Sequence, residues 1–322
     1  MRRKSLIGLI SLIVVSTAGS FCLGGCRSST SGRFCWVFQM RGGDPNAPAI
    51  FSDMAYIPGG IFDMGDDSCY SGHGGCDRRF HTVMLNSFLM GTYEITNQQY
   101  CDYLNSALSR GLIRVTDGIV YQAGSGTSYP YCDTHGADSW SQIDFSEGVF
   151  SVRSKSGRSM GNDPMVMVTW FGAAAYCNWR SQQEGKEQCY SLSTWSCDFS
   201  KKGYRLPTEA EWEYERVCVL SGRRRPRQEM RYVVDWCNDW YLFHYYLSSP
   251  ATNPTGAAAG TSRVIRGGKV FPQRIYDERF LRWHTLDFGY YNYPISTMNT
   301  YRYHANPSYR ECDVGFRLVL DL

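Results

Sequence analysis

An excess of charge of one sign is missing from this chain. Its 322 residues carry 33 Lys and Arg against 30 Asp and Glu, a formal charge of +3. Nucleic-acid binders usually have a strong basic excess, so that class is excluded. Histidine is scarce. The six at 73, 81, 135, 244, 284 and 304 include no pair four residues apart, so no helix turn offers two imidazoles on one face to a metal, and no His-Glu-x-x-His motif is present. There is no phosphate-binding loop and no internal repeat. What is plentiful points elsewhere. Hydrophobic residues at 43% against 20% charged describe a globular chain, and 32 Gly with 12 Pro exclude a helix-rich bundle. Aromatics reach 15%, with 23 Tyr and 9 Trp.

The N-terminus accounts for the residual charge. Arg2, Arg3 and Lys4 precede the apolar stretch Leu6 to Val15 and a run of small residues, the layout of an export signal too short and wrongly flanked for a stable membrane span. Leu23-Gly24-Gly25-Cys26 resembles the bacterial lipobox, which predicts removal of residues 1–25 and lipid attachment at Cys26. Losing those three cations leaves 30 basic against 30 acidic residues. Two acyl chains anchor stably where one does not, so the chain is expected in the cell envelope, on the outer face of a membrane or in the periplasm. Residues 26–50, with several Ser, Gly and Pro, read as a flexible tether, and residues 51–322 as the folded domain. Thirteen Cys in an exported chain are disulfide candidates first. Cys69 with Cys76 and Cys189 with Cys197 are near enough in sequence to close small loops, and an odd number remains once Cys22 and Cys26 are set aside. Cys69-x3-His73-x2-Cys76 matches no zinc-ligand spacing.

Three helices announce themselves. Thr96-Asn97-Gln98-Gln99 is a capping box opening a helix with Tyr100, Tyr103, Leu104 and Leu108 on one face and a stop at Gly111. A second helix follows Thr169 and ends at Gly185. A third starts at the capping box Thr208-Glu209-Ala210-Glu211. Short strands are expected at 55–58, 81–85, 118–121, 165–168, 263–266 and 315–320, with loops and hairpins filling 111–163. The sum is an irregular α+β domain.

Taken in order, several segments resemble the sulfatase-modifying-factor family, whose founding member is the formylglycine-generating enzyme. They include residues 54–65, Tyr93-Glu94-Ile95-Thr96-Asn97-Gln98-Gln99-Tyr100, residues 164–170 and Ala175-Tyr176-Cys177-Asn178-Trp179. The most specific runs from Tyr204 to Tyr214; residues 235–241, Arg263-Val264-Ile265-Arg266-Gly267-Gly268 and Gly315-Phe316-Arg317-Leu318 complete the set. The resemblance implies a C-type-lectin-like fold. It also implies an activity: O₂-dependent oxidation of a sulfatase Cys to formylglycine, with Cu(I) held by two Cys five positions apart, since soft thiolates select Cu(I).

The chain departs from that pattern. Counting forward from Gly268, the copper positions hold Pro272 and Asp277; counting back from Tyr301-Arg302-Tyr303, they hold Ile295 and Thr300. No two Cys anywhere are five apart, and Lys269 stands where the family usually has Ser. Copper is therefore not expected. For the family's calcium site, Asp235 matches a Glu ligand but Tyr232 replaces an Asn. Asp235 is either a calcium ligand or the acid of an ordinary salt bridge; no other cofactor is expected. The arginines at 223, 224, 225 and 227 are a solvated loop or a patch for acidic partners. His-ligated iron, found in related sulfoxide synthases, lacks its helical domain here. Trp236, Trp240, Tyr241, Tyr245, Tyr246, Trp283, Tyr290, Tyr291 and Tyr293 either offer flat contact surfaces to peptide or carbohydrate or fill the core. The sequence therefore predicts a lipid-anchored module, non-catalytic and suited to binding. The alternatives are an oxidase with an atypical metal site or an active paralogue, and a decayed copy.

Overall fold

The computed structural model describes residues 53–65, 77–219, 233–267 and 302–322, and the backbone alone of 25–27, 34–36, 217–219, 275–277 and 282–284. Two four-stranded sheets and three helices make the frame. The first sheet joins β1 (Met54–Ile57), β4 (Phe88–Gly91), β10 (Tyr204–Arg205) and β15 (Val319–Asp321) in the antiparallel order β10-β15-β4-β1. The second joins β11 (Val234–Trp240), β12 (Arg263–Arg266), β13 (Arg302–Ala305) and β14 (Val314–Gly315) in the order β13-β12-β11-β14, with only the β11–β14 pair parallel. A hairpin of β2 (Gly60–Met64) and β3 (His81–Leu85) stands beside them. The segment expected to hold hairpins does: β5 (Ile113–Thr116), β6 (Ile119–Gln122) and β7 (Pro130–Asp133) form one sheet, and β8 (Ile143–Ser146) pairs with β9 (Val149–Val152).

The helices begin where their caps predict. In α1 (Asn97–Ser109) the Gln99 N–H donates to Thr96 Oγ1 at 3.3 Å and the Thr96 N–H to Gln99 Oε1 at 2.9 Å. Tyr100, Tyr103, Leu104 and Ala107 face the core, the spacing of one helical stripe. Thr169 caps α2 (Trp170–Gln183) by accepting the Gly172 N–H at 3.0 Å. Gly172 itself is required: a Cβ there would lie 2.2 Å from the Tyr131 carbonyl oxygen, so α2 packs against β7 only because no side chain intervenes. In α3 (Glu209–Val219) the Thr208–Glu211 box closes both ways, at 2.8 and 3.2 Å.

Two strand expectations change. Residues 165–168 are buried but make only an isolated bridge at each end, Thr96 with Pro164 and Cys132 with Val168. Met167 turns to φ 56°, which breaks the extended run, and its N–H donates to the Glu311 carbonyl at 3.0 Å. The run 315–320 splits into β14 and β15, because the Phe316 and Leu318 carbonyls between them accept from Ile95 and Gly91 at 3.0 and 2.8 Å.

What ties the sheets together is α3. Its four glutamates, 209, 211, 213 and 215, are all buried. Glu211 takes Arg205 of β10 in two bonds of 2.7 Å, and the same guanidinium reaches Asp321 of β15. Glu213 accepts from Arg266 of β12, Glu209 takes Arg302 of β13 at 2.6 and 2.9 Å, and Glu215 lies 3.5 Å from Arg317 between β14 and β15. Removing one partner of such a pair strands a charge in a dry interior at about 3–5 kcal/mol, while replacing both by apolar groups is often neutral. Glu211→Ala should therefore lower the unfolding free energy by about 3–5 kcal/mol in denaturant titration. The double change Arg205→Met with Glu211→Leu should recover much of the loss, and Arg158→Ala in the exposed pair with Asp163 should cost under about 1 kcal/mol.

Candidate functional site

The start of α3 is the densest charged site among the described residues. Glu209 lies beneath Arg302 and 3.8 Å from Arg266. Burial alone would raise its pKa, but the two guanidiniums outweigh burial and hold the carboxyl below its usual range. Glu211 is held low in the same way by Arg205. Glu213 goes the other way: burial raises it, and Arg266 and the Gly65 N–H, which donates at 2.8 Å, offset only part of that. Asp239 accepts the Glu209 N–H at 2.8 Å; burial, then the nearby Glu209 charge, push its carboxyl up to about 8.

Outward from Glu209 the site becomes aromatic. The Arg302 guanidinium stands over Tyr241 at 4.8 Å and Tyr246 at 4.4 Å and donates to the Asp77 carbonyl at 2.9 Å. The Tyr241 hydroxyl donates to Asp77 Oδ2 at 3.0 Å, and its ring stacks on His304 at 3.9 Å. Burial lowers the pKa of His304, and also of His81 beside Tyr246. Arg263 is clamped between Trp170 and Trp240, 3.7 and 3.5 Å from the ring centroids, with no acidic partner among the described residues. This arrangement is buried and extensively paired, though Arg263 Nε and His81 Nε2 have no hydrogen-bond partner among the described residues. It positions strands and aromatic rings, and it leaves no nucleophile beside a base.

The residues singled out from the sequence fall as follows. Asp235 is 1% exposed, and its Oδ2 accepts from Trp212 Nε1 at 2.8 Å and Arg317 Nε at 3.0 Å. That oxygen is engaged in a buried ion pair with Arg317, while Asp235 Oδ1 has no hydrogen-bond partner among the described residues. Cys189 and Cys197 are both free thiols, which corrects the expected loop disulfide. The hairpin register sets Cys197 opposite Tyr190 and hydrogen-bonds Cys189 to Asp198, so the two sulfurs are not a facing pair. Among the described residues burial raises the thiol pKa of each buried Cys, Cys101 to about 11 and Cys132, Cys177, Cys189 and Cys237 upward as well, and partly buried Cys197 rises to about 12. Protonated, buried thiols are poor metal ligands. Trp236, Tyr245 and Tyr246 are buried core residues, as one of the two readings of the aromatic set has it. Cys69, Cys76, Pro272, Ile295, Thr300, Tyr290, Tyr291, Tyr293 and the 223–227 arginines lie outside the described residues; for Cys26, Asp277 and Trp283 only the backbone is described.

The expectation that the chain holds no Gly-x-Ser-x-Gly is corrected. Gly157-Arg158-Ser159-Met160-Gly161 has the Gly-x-Ser-x-Gly spacing of a nucleophile elbow. It sits instead on an exposed two-residue ladder, with Ser159 Oγ accepting the Gly161 N–H at 3.2 Å and no helix following the serine. The α3 glutamates were also missed as a network. Their only signal was that charges at alternate positions of a helix cannot all face water on one side.

The Asp239 carboxyl gives the site a pH signature. Its folded pKa of about 8 lies above the ordinary 3.8, so the folded chain holds a proton the unfolded chain has lost between those values. Its contribution is complete below the ordinary value and disappears as pH rises through the folded one. Stability measured by denaturant titration should fall from pH 6 toward pH 9, and the near-isosteric Asp239→Asn should flatten that slope; an unchanged slope would refute the assignment.

With the geometry set out, the comparisons can be stated. The sulfatase-modifying factor enzyme 1-like domain matches residues 44–226. A formylglycine-generating enzyme of Streptomyces coelicolor is 26% identical over 70% of this chain and 80% of its own length. A serine/threonine-protein kinase pkn1 of Chlamydia pneumoniae is 26% identical over 70% of this chain, which spans 34% of the kinase. A protein named chaperone protein LppX, from Paenibacillus barcinonensis, is 25% identical over 64% of this chain and 53% of its own length. Among solved structures, Treponema denticola variable protein 1 superposes with a TM-score of 0.50 at 20% identity, covering 84% of this chain and 95% of that one, a likeness of fold. The irregular α+β architecture, the Thr208–Tyr214 helix start and the span of the match agree: the chain belongs to the sulfatase-modifying factor enzyme 1-like domain family.

Proposed function

We propose that this chain is an exported, lipid-anchored and non-catalytic binding module built on a formylglycine-generating-enzyme-like domain. The observation that carries the reading is the disposition of sulfur. The positions that correspond to the copper thiols carry Pro272 and Asp277, or Ile295 and Thr300, none of which offers a soft ligand. The buried Cys among the described residues sit in the core with raised thiol pKa values. No step of an oxidation is therefore assigned to these side chains. The relatives' names support a module over a single chemistry: the shared domain occurs in proteins called a formylglycine-generating enzyme, a serine/threonine-protein kinase and a chaperone protein, and fold does not fix function. The charge network of α3 then serves as a rigid frame for loops that contact a partner. Anchoring follows from Cys26 at the lipobox-like cleavage point.

A second reading keeps the activity. The formylglycine-generating enzymes among the relatives favour an oxidoreductase that converts a sulfatase Cys with an atypical metal site, or together with an active paralogue.

The two readings part on reconstitution. Loaded with Cu(I) and washed beside a formylglycine-generating enzyme, the mature chain should retain no stoichiometric copper and consume no O₂ with a Cys-containing sulfatase peptide. Tight one-to-one copper with turnover would overturn the non-catalytic reading. Expressed in a bacterium fed a labelled fatty acid, the full chain should incorporate label, and Cys26→Ser should abolish it; label that survives the change would rule out anchoring at that residue.

A further inference from the structure

A cleft of about 360 Å³ opens between α1 and α2, on the side of the domain bounded by β5, β6 and the 189–197 hairpin, and no residue of the Glu209 cluster lines it. Its size lies within the about 300–1,000 Å³ typical of small-molecule sites. The floor is aromatic. Trp179 is half-buried, its Nε1 donates to Ser106 Oγ at 3.1 Å, and its ring lies 5.6 Å from Tyr103 and 5.4 Å from Tyr176. The indole is thus fixed from behind while its remaining surface lines the cleft.

The rim is made of planar amides. Gln122 donates Nε2 to the Leu192 carbonyl at 3.3 Å and keeps its Oε1 as an acceptor. Gln182 Oε1 accepts from Arg110 at 2.6 Å, which leaves its amide N–H groups as donors. Gln188 is exposed, and its amide has no partner among the described residues. The rim is also set in advance. Asn178 bonds the Tyr190 backbone twice, at 2.7 and 3.0 Å, and so pins the strand that carries Gln188 to α2; such preorganisation lowers the ordering cost of binding.

Charge narrows the ligand class. No Asp or Glu lines the cleft, so a cation finds no counter-ion there, and the one guanidinium, Arg110, is already bonded to Gln182. Amides that both donate and accept match hydroxyl groups, and an indole surface suits the apolar C–H face of a ring that is polar at its edge. We propose that this cleft binds a short neutral saccharide. The proposal rests on the binding-module reading above and gives it a ligand class.

The test is calorimetric titration of the mature chain with three neutral probes, N,N′-diacetylchitobiose, maltose and cellobiose, with tryptophan fluorescence followed in parallel. At least one should bind saturably at millimolar or lower concentration and change the fluorescence. Gln182→Ala with Gln188→Ala, both at exposed positions, should weaken that binding at least about tenfold without moving the thermal midpoint. Trp179→Phe should reduce both affinity and fluorescence change. Absence of binding by all three probes, or affinity unaltered in the double variant, would overturn the proposal. None of these failures touches the non-catalytic reading, which stands or falls on copper and O₂.

Discussion

Four carboxylates on one short helix cannot be buried alone, and the architecture around α3 follows from that constraint. Glu209 and Glu213 share one side of the helix and Glu211 and Glu215 another, being four residues apart, and each meets an arginine from a different stretch of chain. Arg205 and Asp321 belong to the first sheet, Arg266 and Arg302 to the second, and Arg317 to the link between them. Desolvating so many charges is costly, and buried pairs are weak evidence for net stability. What they supply is geometric demand: a strand out of register leaves a guanidinium or carboxylate unpaired in the interior. Trp212 sits among these groups, with Arg266 and Arg317 5.3 and 5.9 Å from its ring, and its indole N–H holds Asp235 in place.

That solution gives the domain an interior unlike an ordinary hydrophobic core. Two apolar clusters remain, one between α1, α2 and the hairpin region and one behind α3, and the polar network runs beside them. Scattered short strands tolerate this because backbone groups between them pair with loops, as at Phe316 and Leu318. The sulfur follows the same logic. Buried Cys residues behave as small hydrophobes here, and their raised pKa values come from burial first. A frame fixed from within leaves its outer loops and clefts free to differ among family members, which is the physical sense in which one fold accompanies proteins of different names.

Parts of the fold were readable because their causes are local. The capping boxes at Thr96 and Thr208 are one-turn interactions, and both close as spacing predicts. The hairpins between 111 and 163 follow from turn residues; Asp117 and Gly118, at φ 51° and 75°, reverse the chain between β5 and β6. The apolar run 165–168 misled for an equally physical reason. Alternating apolar residues indicate burial and extension, but whether a ladder forms depends on which edges are available, and here those backbone groups are divided among Ile95, Cys132 and Glu311. The candidate site was less legible still. Asp235 offered two readings, and its pairing with Arg317, 82 residues away, could not be seen in local spacing. Cys189 and Cys197, close in sequence, were separated by hairpin register.

The sequence alone determined where the three helices start, that no two Cys stand five positions apart, and that the family framework is present, since each depends on residue identity or on contacts within a few positions. Tertiary structure alone decided which acids meet which bases, and which aromatics are core and which line a cleft. Those outcomes depend on segments far apart in the chain, such as Arg205 with Asp321, 116 residues apart, and Trp179 with Ser106, 73 apart. Charge and shape at such distances become partners only after the backbone has brought them together, because neither the Coulomb attraction between them nor their packing has meaning in an unfolded, water-screened chain.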